Sequence, residues 1–245
     1  MAMDREQTIL EHLTELRERL IKCFIALMVG TIVAMFFVEP SLRLLTRPLG
    51  DTIPQTLAPT ESLSVYFRIA FIEGVALAMP VLVYQIVAYL LPGLLPEERQ
   101  YLYLLIPGVT ISFILGAVFC VMIMLPAAIN FMQGFLETVV ENRWSLDYYI
   151  SFITRVMFAM GIVFQTPLIL LFLSKLGLVN AKQLGGFRKY AVLLTSIVAA
   201  VITPTPDPLN MMLVMVPLYL LYEVGILLVW VTGSKKKTQS EAESA

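Results

Sequence analysis

Residues 101–125 read YLYLLIPGVTISFILGAVFCVMIML, a run with no Asp, Glu, Lys or Arg. A helix rises about 1.5 Å per residue, so ~20 apolar residues cover the ~30 Å hydrocarbon core of a bilayer. This run is long enough to cross. Five more runs share its character, at about 22–38, 69–91, 150–174, 190–203 and 209–231. The expected fold is therefore an all-α membrane protein with six transmembrane helices. Its fifth helix is short: about 14 residues cover only roughly 21 Å.

The composition of the 245 residues agrees. Apolar types make up 58%, charged types 14%, and mean hydropathy is +0.82, more apolar surface than a soluble domain of this size could bury. A net charge of −1 offers no basic surface, which argues against a nucleic-acid partner. The first 20 residues are charged and amphipathic and lack a small-residue cleavage site, so they do not read as a cleaved signal peptide.

The placement of Lys and Arg sets the expected orientation. Twelve of the 17 fall on one side: Arg5, Arg17, Arg19, Lys22, Arg99, Lys175, Lys182, Arg188, Lys189 and Lys235 to Lys237. The other side keeps Arg43, Arg47, Arg68, Arg143 and Arg155. Positive charge collects on the cytoplasmic side, so both termini are expected there. Residues 1–232 then form a single membrane domain, and the polar stretch 233–245 a disordered cytoplasmic tail. The outer segments 39–68 and 126–149 carry Pro40, Pro48, Pro54 and Pro59, and Trp144, Tyr148 and Tyr149, as structured caps would. Pro80, Pro107, Pro167 and Pro217 interrupt apolar runs and favour bent helices, hence a cupped bundle. Cys23 and Cys120 fall near opposite faces of the bilayer and read as packing residues, not a disulfide.

Two acidic sites fall on the cytoplasmic side. Asp4 and Gln7 form a candidate capping box that starts an amphipathic helix, with Ile9, Leu13, Leu16 and Leu20 on one face and Glu11, Glu15 and Glu18 on another. Spacing alone favours a solvated face held by pairs such as Glu15 with Arg19 and Glu18 with Lys22. Glu97 and Glu98 follow in a loop tightened by Pro92, Gly93 and Pro96. Carboxylates fixed at a membrane surface suit a peptide bearing guanidinium groups, each able to make a two-point bond.

Several strings resemble the TatC family, in family order and over nearly the whole chain: ILEHLTELRERL (9–20), TRPL (46–49), MPVLVYQIVAYLLPGLLPEER (79–99), FQTP (164–167), FRKY (187–190), TPTPDP (203–208) and YLLYEVG (219–225). The resemblance implies the receptor core of the Sec-independent pathway in a bacterial inner membrane, driven by the proton-motive force and forming complexes with TatA- and TatB-type single-span partners and with further copies of itself. It implies that Glu15 and Glu98 meet the paired arginines of a signal peptide, with Arg17, Arg19 and Tyr89 shaping the same surface. Pro48 would belong to the outer cap, and Gln165, Asp207 and Glu223 become candidate partner contacts or intramembrane polar groups. Some family members carry glutamate where this chain has Gln165. The amide can hydrogen-bond an inserted helix, or equally serve a bond within the bundle.

Glu73 is outside the family pattern. A pair with Arg68, five residues away, is favoured over titration in a cavity. Glu223 reads as deep in its span and costly to ionise, hence protonated or hydrogen-bonded. The lone His12 lacks companions for a metal site. No HExxH and no GxxxxGK[ST] occurs, so neither a zinc protease nor a P-loop enzyme is expected, nor any cofactor. A small ion-coupled secondary transporter, using Glu73, Gln165 and Glu223 as a path, is the alternative to the receptor reading.

Overall fold

The apolar runs fold as helices. The computed structural model describes residues 9–50, 52–90, 96–134, 143–203 and 208–243. In order the helices are α1 (Ile9–Ala34), α2 (Val38–Thr46), α3 (Glu61–Leu90), α4 (Pro96–Phe119), α5 (Leu125–Gly134), α6 (Leu146–Val163), α7 (Thr166–Lys175), α8 (Ala181–Gly186), α9 (Arg188–Ile202) and α10 (Pro208–Glu243). Four stretches are long and apolar enough to cross a membrane: Glu61–Tyr89, Ile106–Gly134, Leu146–Lys175 and Asn210–Thr232. The bent pair α1 and α2 makes a fifth if counted as one span. The expected short span is α9, whose 15 residues reach only about 22 Å. Asp4 and Gln7 lie outside the described residues.

Three breaks shape the bundle, and each has a local cause. α1 stops at Ala34, and α2 leaves at 73° after Met35 to Phe37, inside what the sequence presents as one apolar run. The Tyr66 hydroxyl donates to the Met35 carbonyl at 2.7 Å, satisfying an acceptor that the bend exposes. Between α4 and α5 a single π-helical turn, Cys120–Met124, precedes Pro126, and Leu125 N–H reaches back to the Cys120 carbonyl. Proline has no N–H to continue the ladder, and the wider turn absorbs that mismatch. The third break separates α6 from α7 at Phe164 and Gln165, just before Pro167.

Helices in lipid gain little from apolar burial against one another, so their association depends on close backbone approach. α1 and α3 meet at Gly30 and Gly74. A Cβ on Gly30 would stand 2.6 Å from the Gly74 carbonyl oxygen, and one on Gly74 would stand 2.6 Å from Thr31 Cα. α4 and α6 repeat the device at Gly116 and Gly161, where a Cβ would run into the Met160 carbonyl and the Phe113 ring.

The cap formed where α3 and α6 begin is held by one carboxylate. Glu61, the first residue of α3, is 7% exposed. Its Oε2 accepts from the Leu57 and Ala58 N–H groups, and its Oε1 accepts from Ser145 Oγ and Asp147 N–H, both at 2.7 Å. Alongside, Gln55 exchanges backbone bonds with the start of α6, donating to the Trp144 carbonyl at 2.8 Å and accepting from Leu146 N–H at 2.9 Å. The buried Tyr149 hydroxyl donates to the Leu45 carbonyl at 2.7 Å, which ties α6 to α2. Pro48 sits half-buried in the 3-10 turn Arg47–Leu49 that closes this cap.

Arg68 does not pair with Glu73, contrary to expectation. It reaches across to α6 and meets Asp147 Oδ1 at 2.6 Å. Successive side chains along α3 point to different faces, and five residues of separation leave Arg68 toward α6 and the cap while Glu73 turns into the bundle. α10 also continues over 233–243, where composition predicts disorder; the Lys, Gln, Glu and Ala in that stretch are good helix formers. Cys23 is half-buried and Cys120 buried, both free thiols.

Two outcomes follow for purified protein in nanodiscs. Gly74→Ala forces α1 and α3 apart and lowers stability by ~1–3 kcal/mol, read as a drop in melting temperature. Glu61→Ala leaves up to four donors without their acceptor and costs about 2–3 kcal/mol, whereas an alanine at the neighbouring exposed Ser62 leaves the melting temperature in place.

Candidate functional site

Helical spacing puts His12, Glu15 and Arg19 on one face of α1, and Gln85 with Tyr89 on the facing side of α3. The two faces meet. Arg19 Nε donates to Glu15 Oε1 at 2.9 Å, and a terminal nitrogen of Arg19 bonds the same oxygen. Arg19 Nη1 also donates to Gln85 Oε1 at 3.3 Å, which locks the guanidinium between the helices. The His12 and Tyr89 rings stack with centroids 4.4 Å apart and planes 19° from parallel. His12 Nδ1 lies 4.0 Å from Glu15 Oε2.

Glu15 is thereby held half-used. One oxygen is occupied by Arg19, while the other is buried and has no hydrogen-bond partner among the described residues. A carboxylate oxygen kept from water without a donor is costly, which favours any ligand donor that can reach it. The i,i+4 pair anticipated from spacing exists, and it leaves this second oxygen free. Arg17 is exposed on the outer side of the same helix. Glu98 lies in the first turn of α4, and its side chain is outside the described ones. Asp207 likewise lies outside the described residues. Gln85 and His12 were not singled out for this cluster by sequence; the signal was available in Gln85, a polar residue four before Tyr89 in an apolar run.

Gln165 occupies the break between α6 and α7. Its Nε2 donates to the Val109 carbonyl of α4 at 3.2 Å and to the Gly161 carbonyl at 3.1 Å. Its Oε1 is buried without a partner among the described residues. The internal helix-to-helix bond is therefore present, and an acceptor remains beside it.

Glu223 is not the isolated deep carboxylate that its position in an apolar run suggests. Arg188 grips it with two bonds, Nε to Oε1 at 2.7 Å and a terminal nitrogen to Oε2 at 2.8 Å, and the Tyr219 hydroxyl adds a third at 2.8 Å. The Asn180–Gln183 capping box fixes the turn into α8, and the Tyr222 hydroxyl donates to the Leu184 carbonyl. That framework brings the start of α9 against α10, where Arg188 is within reach. The pair faces outward, with the Arg188 side chain 52% exposed. The three polar groups of the transporter alternative thus have separate surroundings: Glu73 in a cavity among α2, α3, α4 and α6, Gln165 against α4, and Glu223 with Arg188.

Beside α9 runs an apolar groove of about 770 Å³, lined among others by Val163, Leu184, Phe187, Leu194 and Tyr222. Thr166, next to Gln165, also lines it.

Comparisons with known proteins agree with this architecture. The family model described as Sec-independent protein translocase protein (TatC) matches residues 11–217. The Sec-independent protein translocase protein TatC of Aquifex aeolicus (strain VF5) is 36% identical over 238 residues, covering 95% of this chain and 98% of that protein. The chloroplastic relative from Arabidopsis thaliana is 36% identical over 233 residues, covering 94% of this chain and 68% of that protein. A crystal structure of the twin-arginine translocase receptor TatC superposes with a TM-score of 0.79 at 36% identity, covering 89% of this chain and 99% of that one.

Proposed function

Because the chain belongs to the TatC family of Sec-independent protein translocase proteins, we propose that it is the receptor subunit that reads twin-arginine signal peptides and helps carry folded cargo across a bacterial inner membrane. It works without catalysis of its own. The observation that carries this reading is the Glu15 carboxylate, preorganised by Arg19 and Gln85 with one oxygen left open. A planar guanidinium presents paired N–H donors to such an acceptor, while an ammonium offers a point charge. Glu98, on the turn that opens α4, supplies the second carboxylate, so that each arginine of the pair meets one acid. Arg17, Arg19 and Tyr89 border the same surface. Arg19 sets the orientation of Glu15, and the Tyr89 ring backs it through His12.

The rest of the translocase role extends from this site. With α9 counted as a short fifth crossing, the bundle has six spans, and the Lys and Arg distribution puts both termini in the cytoplasm. A helix of about 22 Å thins the bilayer around it, which makes that edge the place for cargo to cross. TatA- and TatB-type single-span helices lie along the apolar groove beside α9, and Gln165, next to the groove residue Thr166, is a further candidate contact. Asp207 and Glu223 are further partner contacts, and Pro48 stiffens the outer cap. Further copies of the chain join the complex, and the proton-motive force drives transport.

The decisive measurement is binding of a labelled paired-arginine peptide and its paired-lysine counterpart to protein in nanodiscs. The arginine peptide binds about tenfold or more tightly, the equivalent of ~1.4 kcal/mol or above. Glu15→Ala and Glu98→Ala each remove that preference. Equal binding of the two peptides, or unaltered preference in both variants, refutes the receptor site. Lengthening α9 by one apolar turn lowers transport into inverted vesicles while leaving peptide binding intact; unchanged transport would sink the thinned-edge route.

A further inference from the structure

Glu73 stands 12 residues into the span Glu61–Tyr89, far from either end. It lines a partly open cavity of about 150 Å³ among α2, α3, α4 and α6, whose walls include Ile69, Phe113 and Met157. Ser41 from α2 is hydrogen-bonded to the carboxyl group. The remaining oxygen, Oε2, is buried and has no partner among the described residues.

Among the described residues no cation is at hand to neutralise the group. Among the described residues, no other ionisable side chain lines the cavity. Arg68, the nearest basic residue along α3, is committed to Asp147. On α2, Arg43 pairs with Glu39 on the exposed side, and on α6 Arg155 is exposed. An ionised carboxylate here would be an unpaired charge inside the bilayer, and such groups are costly unless they find a partner or change protonation state. The cavity also holds a second polar group. Thr154 lines it, and because its hydroxyl proton is already given to the Ile150 carbonyl at 2.7 Å, its oxygen is left as an acceptor. At ~30 Å³ per water the space admits a few molecules, enough to connect Glu73 with Thr154.

We infer that this cavity is a hydrated proton-binding site, in which Glu73 carries an exchangeable proton and donates through water to Thr154. The step is a simple one: hydronium gives its proton to the carboxylate, forming one O–H bond and leaving water, and the reverse step returns it. This assignment is independent of signal-peptide recognition at Glu15.

Infrared spectroscopy of the full chain in nanodiscs tests it without cargo or partners. At neutral pH the wild type shows a carbonyl band of a protonated carboxylic acid, which shifts on transfer to D2O. Glu73→Gln abolishes that band, and Glu73→Asp, which keeps a carboxyl in a better-tolerated size, retains one at a displaced position. Thr154→Val moves the band toward the position of a free acid because the water bridge is lost. Absence of the band, or its persistence in Glu73→Gln, overturns the proton site. A band indifferent to D2O or to Thr154→Val overturns the hydrated connection.

Discussion

The contact of α1 with α3 at Gly30 and Gly74 is the constraint on which the rest of the structure depends. Each helix needs an amphipathic or apolar exterior to live in lipid, and that exterior gives no preference for one neighbour over another. Specificity has to come from shape. Two glycines facing each other let the backbones approach until no Cβ fits between them, and only one rotation and one register of the helices achieves this. Fixing α1 on α3 there also determines what meets at their far end. Arg19 and Gln85 are 11 residues from Gly30 and Gly74 on their respective helices, so the polar cluster around Glu15 inherits its alignment from a close backbone contact a full three turns away.

The opposite end is organised by different physics. There the chain leaves its helices, and backbone donors at the start of α3 and α6 need acceptors. Glu61 answers three of them, and the Ser145 hydroxyl besides, with one carboxylate, and the Arg68–Asp147 pair and the Tyr149 hydroxyl add links between α3, α6 and α2. The two ends thus divide the labour: a carboxylate with both oxygens satisfied at the cap, and a partly satisfied one at the candidate site. An acceptor left open is a defect in a purely structural element. In a receptor it is the means of binding.

Four spans, and a fifth in the bent pair, were legible because length and apolarity are the conditions for crossing a bilayer, and both can be read residue by residue. The place of the bend after Ala34 was not, since Met35, Phe36 and Phe37 are as apolar as their neighbours; Pro40, which has no N–H for the Phe36 carbonyl, lies beyond the turn, and the donor to the Met35 carbonyl is Tyr66, 31 residues along. The cluster at Glu15 was half legible. Spacing on α1 revealed the Glu15–Arg19 pair, but Gln85 and Tyr89 belong to another helix, and only the crossing angle and register bring them in. Tyr89 was identified through family resemblance. One error arose where sequence proximity stood in for spatial proximity: Arg68 meets Asp147, not Glu73. The hydrogen bonds expected of Glu223 are present, and their main donor, Arg188, is 35 residues away on another helix. For Glu98 and Asp207 the question stays with the proposal, since the first has no described side chain and the second is not described.

The cap at Glu61 has a mechanical consequence. Because α2, α3 and α6 are stapled together at one extremity, these helices behave as rods clamped at a common hinge. Small rotations about a clamp produce displacements that grow with distance along the rod. The clamped extremity therefore stays nearly still while the free extremities sweep the widest arcs, as the tips of tweezers do. A ligand that wedges between rods near those free tips works with the longest lever the molecule offers, and the opening it causes is greatest on the side from which it arrives.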